Sequence, residues 1–418
     1  MLHNMRLAAV LLAVGLPTIL FADNRVTWPQ WRGPTRDGLV PAGSPPWPDS
    51  LQEPVLTKRW SKEFGPSYSG TIVAEDRVFT TETRDKKTEV TTALSRKDGT
   101  ILWQHEWPGS MTVPFFAARN GSWIRSTPAY DGKYLYVGGM RDVLVCLDAQ
   151  TGKEVWRFDF VKEFNAPLPA FGFVCSPLVV GDYVYVQAGA SFVKLDKNTG
   201  KSIWRTFRDD GGMNGSAFSS PTLAKLQGQE VLLVQGREKL AAIDPADGKV
   251  LWARTIPAFR GMNILTPIVY RDGIFTSSYG GKTLLLQIKR NAEDYEVNEA
   301  WSQKIEGYMS TPVVIGNHVY MHLKNQRIAC LELETGKECW MTPKSYTEYC
   351  SFVANGDRIL GLTARGTLLL IRATPEKFDL LDSRQVSQQE TWAYLAVAGD
   401  EIYIRELNAL TAWRWANK

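Results

Sequence analysis

Histidine is scarce in this chain, with 4 in 418 residues, and that scarcity removes several chemistries at once. A Ser-His-Asp triad needs an imidazole to take the serine proton, and no Gly-x-Ser-x-Gly elbow exists to expose such a serine. His318 and His322 point to one strand face but stand roughly 13 Å apart along it. His105 stands alone, and His3 lies in the N-terminal segment. Cysteine is also sparse and odd in number: Cys146, Cys175, Cys330, Cys339 and Cys350. An odd count cannot form a complete disulfide framework. Cys146 and Cys330 occupy matching positions and read as small buried hydrophobes. Cys330 and Cys339 flank one hairpin, where both a cross-strand disulfide and free buried thiols are compatible with the sequence. With no Cys-x-x-Cys pair and no Asp-x-Asp calcium loop, no metal site is expected.

Neither charge sign dominates. Lys and Arg number 48 against 44 Asp and Glu, a net +4. The charges are scattered, with no basic stripe interleaved with aromatics, so nucleic acid is not an expected partner. Beyond the N-terminus no apolar run reaches the ~18 residues a membrane helix needs. Residues 1–22 read as a cleaved signal peptide: a weakly basic start at Arg6, an apolar stretch from Leu7 to Phe21, and a small-residue site at Ala22. A retained anchor is the alternative. No cysteine follows the cleavage point to take a lipid. The expected compartment is periplasmic or secreted, and the expected mature chain is soluble and monomeric.

What the chain does have is repetition. A Gly-x-x-x-Trp unit recurs as Gly99–Trp103, Gly152–Trp156, Gly200–Trp204, Gly248–Trp252 and Gly336–Trp340. Within residues 176–204, four short β-branched or aromatic runs alternate with polar turns, without a helical period. A small four-stranded sheet cannot bury both faces alone, so copies must stack; four strands per ~40–45 residues is the signature of a propeller blade. Trp60, Trp103, Trp156, Trp204, Trp252, Trp301 and Trp340 fall at fourth-strand positions and are expected to pack between blades. An eighth slot falls near Leu380-Leu381, where the Trp is lost. The prediction is an all-β, eight-bladed β-propeller, with seven blades as the alternative if the Phe378 region is not a full blade. Residues 57–64 read as a fourth strand without predecessors, and residues 392–413 as three strands without a fourth. The N-terminal strand is therefore expected to close the last blade, removing free sheet edges. The organisation predicted is a signal peptide over 1–22, an extended segment over 23–53 and a propeller over 54–418.

The loops joining one blade to the next gather at one mouth of the central channel. Two are long, Trp107 to Trp123 and Val161 to Phe173. The candidate binding residues on these and the shorter loops are Arg119, Asn120, Trp123, Arg125, Phe171, Asn214, Arg260, Asn263, Tyr308 and Tyr349. They form either a recognition surface or a plug that fills the channel.

The segment Leu147-Asp-Ala-Gln-Thr-Gly-Lys-Glu-Val-Trp156 resembles the pyrroloquinoline-quinone (PQQ) type propeller repeat, as do residues 195–204 and 243–252. Trp28-Pro-Gln-Trp-Arg-Gly-Pro-Thr-Arg-Asp-Gly38 resembles the N-terminal signature of secreted, stand-alone members. The resemblance implies the propeller across nearly the whole mature chain. The family holds quinoprotein dehydrogenases and also non-catalytic members such as an outer-membrane assembly factor. A dehydrogenase of this family would carry adjacent cysteines over the quinone, a Glu-Asn-Asp set around a calcium or lanthanide ion, and an Asp base. None of these maps onto this chain. The expectation is a non-catalytic scaffold with no cofactor, binding a protein, peptide or carbohydrate at the mouth. A quinone-dependent dehydrogenase with an atypical site is the alternative, and a ring completing a larger enzyme is a third.

Overall fold

The computed structural model describes residues 26–109, 111–209, 217–292 and 294–416. Residues 1–25, which include the expected signal peptide, and Asn214 lie outside the described residues. Eight four-stranded sheets are present, and every strand pair within them is antiparallel. Blades 1 to 7 cover residues 72–108, 129–159, 178–206, 222–255, 268–303, 313–341 and 350–385. Blade 8 joins residues 396–415 to the strand Leu56–Glu63, with Trp60 opposite Ala412. The ring therefore has eight members, and the slot that lost its Trp is a full blade whose fourth strand is Asp379–Gln385.

The repeat motif has a local cause. Asp148 Oδ1 accepts from Thr151 N at 2.8 Å and Thr151 Oγ1 at 2.7 Å, and Asp196 does the same for Thr199 at 2.8 and 2.8 Å. Such side-chain turns pre-set the hairpin. The glycine that follows adopts positive φ, 73° at Gly152 and 72° at Gly200. Its missing Cβ leaves a seat for the Trp of the preceding blade: a Cβ at Gly200 would lie 2.6 Å from the Trp156 ring, and one at Gly152 2.5 Å from Trp103. The indole then donates across the blade interface, Trp103 to Ala149 O at 3.1 Å, Trp156 to Lys197 O at 2.9 Å and Trp301 to Leu333 O at 2.8 Å. All eight blades carry a register shift where the fourth strand approaches its Trp slot. A bulge adds one unpaired residue and sharpens the twist. The extra residues include Leu102, Val155 and Ile203, which explains their exposure. In blade 6 the extra residue is Cys339, half-buried while Cys330 is buried; both thiols are free.

Two arginines lock the closure between blades 8 and 1. Arg405, buried, donates to Gly65 O at 2.7 Å, Thr81 O at 3.1 Å and Ala409 O at 3.0 Å. Arg96 pairs with Glu401 at 2.6 Å and donates to Ala74 O and Ala398 O. Among the described residues, helix is confined to the loops between blades. Phe160–Phe164 forms one α-helical turn, started by Asp159, whose side chain accepts from Lys162 N. Phe115–Asn120 and Phe259–Gly261 are 3-10 turns.

The extended N-terminal segment does more than lead into the ring. Trp28 pairs with Val73 of blade 1, Pro29 O accepts from Tyr130 N of blade 2, and Val40 N donates to Ala354 O of blade 7. Val73 and Ala354 lie late in their innermost strands, at the end remote from the loops between blades. The segment is a strap across the far end of the channel. From it Arg32 reaches Thr311 O at 2.5 Å and Pro312 O at 2.6 Å, on blade 6. Arg36 reaches Pro177 O at 2.8 Å and Ser176 O at 3.1 Å, on blade 3. Burial pulls the Arg36 guanidinium down to about 9.

Candidate functional site

Five of the eight innermost strands are entered through a short Ser/Thr-Pro step, at Thr127-Pro128, Ser176-Pro177, Ser220-Pro221, Thr266-Pro267 and Thr311-Pro312. These hydroxyls form a belt around the channel. Ser176 N donates to Ser220 Oγ at 2.9 Å, Ser220 N to Thr266 Oγ1 at 3.1 Å, and Thr266 N to Thr311 Oγ1 at 3.1 Å. Thr311 N ends the run on the Tyr394 hydroxyl at 2.6 Å. Gly70 N likewise donates to Thr127 Oγ1 at 2.9 Å. The recurring step is visible in the sequence, but its hydroxyls satisfy backbone donors that only the ring brings near.

Above the belt lies a cavity of about 370 Å³. Its floor is Trp31 of the strap, edge-on to Tyr394 with ring centroids 5.4 Å apart and flanked by Arg32 and Arg36 at 5.5 and 5.4 Å. One wall is a stack of Tyr349 on Trp392, centroids 5.3 Å apart, with Tyr68 beside it. The rest is a chain of rings: Phe116, Phe171 and Phe218 on one side, Phe259, Tyr279 and Tyr308 on the other, with neighbouring centroids 5.2 to 6.2 Å apart. Among the described residues, Arg125 and Arg260 are the charged side chains of the lining, which holds no Asp, Glu or Lys. Because Trp31 closes the floor, the cavity opens toward the inter-blade loops.

Of the residues singled out from sequence, Arg125, Phe171, Arg260, Tyr308 and Tyr349 line this cavity. Trp123 does not line it; its indole hydrogen-bonds Tyr68, whose hydroxyl burial pushes up to about 12. Asn263 is buried behind the wall, its amide donating to Arg237 O at 2.7 Å and Ile256 O at 2.9 Å, so it braces the loops. Arg119 and Asn120 fall in the 3-10 turn Phe115–Asn120. Sequence reasoning missed Trp31, Tyr68, Phe116, Trp392 and Tyr394. Residues 392–395 read as a strand, but the first strand of blade 8 is Ala396–Ala398, which leaves Trp392 and Tyr394 free to face the channel. A second cavity, about 300 Å³, lies over blades 2 to 4, with Asp209 and Ala217 in its lining.

The residues present do not fit a quinone held over a cation. Among the described residues the lining has no carboxylate and no side-chain amide to ligate an ion or take a proton, and no cysteine. Four of the five thiols are buried in the blades.

An eight-bladed ring with indole clamps and an aromatic, one-ended channel defines a propeller of the PQQ-like class. The chain belongs to the family described as outer membrane protein assembly factor BamB, which matches residues 86–342. It is 26% identical over 254 residues to the protein of that name from Nitrosomonas eutropha, covering 57% of this chain but 54% of the relative, about half its length. The Yersinia pestis protein is 23% identical, with 67% of this chain and 73% of the relative covered. A quinoprotein ethanol dehydrogenase of Pseudomonas aeruginosa is 33% identical, over 29% of this chain and 21% of its own. The BamB structure from Moraxella catarrhalis superposes with TM-score 0.64 at 16% identity, covering 87% of this chain and 99% of that one, which establishes shared fold.

Proposed function

We propose that this protein is a non-catalytic extracytoplasmic scaffold that holds a protein partner at the mouth of its channel. The observation that carries the reading is the aromatic cavity itself: large rings converge on one accessible end of a rigid ring, the composition of an interface hot spot. The relatives' name, outer membrane protein assembly factor, supports the scaffold class and the envelope as its place of work. A monomer secreted through a cleaved signal peptide is part of this reading, and a cofactor is not.

The test is site-specific photo-crosslinking in the envelope of the source cell. A photo-reactive residue at Phe115 or Phe259 should trap a discrete partner, and one at Ile203, on the outer edge of blade 3, should not. Equal trapping at both sites would refute the mouth as the binding face. The dehydrogenase relatives raise a quinone reading, which a thermal-shift measurement decides. Ligand at 100 times its Kd stabilises a fold by about 2.7 kcal/mol, so an unchanged midpoint with PQQ and calcium is the expected result.

A further inference from the structure

We propose that the mouth cavity takes an acidic segment of a partner chain, an Asp or Glu flanked by aromatic or aliphatic side chains, whose carboxylate pairs with Arg125 and Arg260. The proposal rests on the reading of the mouth as the partner site and names the chemistry of its occupant.

Charge complementarity carries it. Among the described residues the lining contains two guanidiniums and no acidic residue. Arg125 donates Nε to Trp123 O at 3.2 Å and Nη2 to Gly121 O at 3.1 Å, both backbone carbonyls. These bonds fix the plane of the fork, and Nη1 has no acceptor among the described residues. Arg260 lies on the rim over Phe259 and Phe116, 5.1 and 6.0 Å from their centroids, with no carboxylate partner among the described residues. Glu306 is paired with Lys324, and Glu390 and Glu348, which act electrostatically on Tyr68 and Tyr308, are not part of the lining. Burial pulls Arg125 down to about 10, so it stays charged at neutral pH. A desolvated cation without a counter-ion is costly, and a carboxylate delivered in a planar fork geometry offsets that cost.

Two features select a chain segment over a small anion. Apolar surface continues outward past the cavity, with Phe115 90% exposed, Phe116 46% and Phe259 49%, and such exposed apolar surface marks interaction sites. The Trp31 floor prevents threading, so the segment enters as a loop or a chain end. Arg260 also holds a left-handed backbone, φ 53°, a conformation that costs a non-glycine residue free energy and fixes where its side chain stands.

The experiment titrates the full chain with short blocked peptides of sequence Ser-Phe-Asp-Phe-Ser, its Asn and Lys counterparts, and free phenylacetate, following binding by calorimetry at low and high salt. The Asp peptide should bind about tenfold tighter than the Asn peptide, a 1.4 kcal/mol preference, and the Lys peptide weakest. Added salt should shrink the Asp preference. Arg125→Gln should erase most of the Asp preference while leaving the Asn peptide's affinity in place, and the exposed Arg260→Gln should reduce it partly. Unfolding midpoints of both variants establish that each is folded. Equal binding of Asp and Asn peptides, or an Asp preference that survives Arg125→Gln, would overturn the proposal. So would phenylacetate binding as tightly as the Asp peptide, or no peptide binding while crosslinks still form at Phe115. In the first two outcomes, loss of both peptides in Phe116→Ser would leave the mouth reading standing. Absence of both peptide binding and crosslinks would remove both readings.

Discussion

Replacing one indole clamp should cost far more than replacing its neighbour, because only one of the two is hydrogen-bonded. Trp156 Nε1 donates to Lys197 O at 2.9 Å across the junction of blades 2 and 3. At the next junction the matching carbonyl is Pro245 O, and Lys194 Nζ occupies it at 2.7 Å. Trp204 Nε1 is buried there with no acceptor among the described residues. Trp→Phe removes similar ring area at both sites, roughly 1 to 2 kcal/mol of packing. At Trp156 it also removes a hydrogen bond worth about 1 kcal/mol net; the Tyr136 hydroxyl, 3.4 Å from the same carbonyl, keeps it from being orphaned. At Trp204 the substitution removes an unsatisfied buried donor, whose presence costs about 1 kcal/mol or more. The expected losses are about 2 to 3 kcal/mol for Trp156→Phe and about 0 to 1 kcal/mol for Trp204→Phe.

Urea unfolding of the two variants reads the difference directly, as a shift in midpoint at constant slope. Lys194→Met supplies the internal control. It vacates Pro245 O, so the Trp204 indole gains an acceptor. In that background Trp204→Phe should cost about 1 kcal/mol more than in the parent. Equal losses at the two tryptophans, or a Trp204→Phe cost unchanged by Lys194→Met, would refute the claim that the indole hydrogen bond, and not ring area alone, fastens the blades.

Gly200→Ala should destabilise more than Gly181→Ala by roughly 1 to 3 kcal/mol, measured by the same unfolding midpoints: both have positive φ, but a Cβ meets Trp156 at 2.6 Å in the first and nothing within 4 Å in the second. Arg32→Met should cost about 2 to 4 kcal/mol, because it orphans the Thr311 and Pro312 carbonyls, and near-UV circular dichroism should report loosening of Trp31. Burial raises Glu89 and Asp142 to about 7 and lowers His322 to about 4. A raised carboxyl contributes stability that is full below its unfolded pKa and lost as pH rises through 7; the histidine's contribution is lost only as pH falls below about 6.5, so it opposes the carboxyls there. Between pH 6.5 and 8 the carboxyls act alone, and unfolding free energy should drop by about 1 to 2 kcal/mol, a drop that Glu89→Gln roughly halves.

The blades were legible because their signals are local. An Asp that closes a turn, a Gly with positive φ and a Trp four residues on lie within one hairpin, so Leu195–Trp204 announces its own geometry. Ring closure was legible because two incomplete sets, residues 57–64 and 392–413, complement each other. Blade 7 keeps its place without a Trp: Asp382 stands at that position, opposite Leu370, and its carboxylate accepts from Leu51 N and Ser50 Oγ of the N-terminal segment. The strap was not legible. Arg32 finds its carbonyls 279 and 280 residues away, and no periodicity encodes such a contact. Tyr394 and Trp392 were absorbed into an apparent strand because β-branched and aromatic composition does not separate a strand from the aromatic approach to one.

The same strap decides what the channel can do. A propeller channel open at both ends offers a weak, hydrated groove to a passing ligand. Trp31, sandwiched by two buried guanidiniums that are themselves tied to blades 3 and 6, turns it into a well with a rigid aromatic base. Rigidity of the walls lowers the ordering cost of binding, and the seven tryptophan-clamped junctions supply that rigidity. The residues that build the fold and those that build the site are therefore coupled. Loosening Arg32 removes the floor, and a partner segment bound above it should lose affinity in step with the stability lost by the strap.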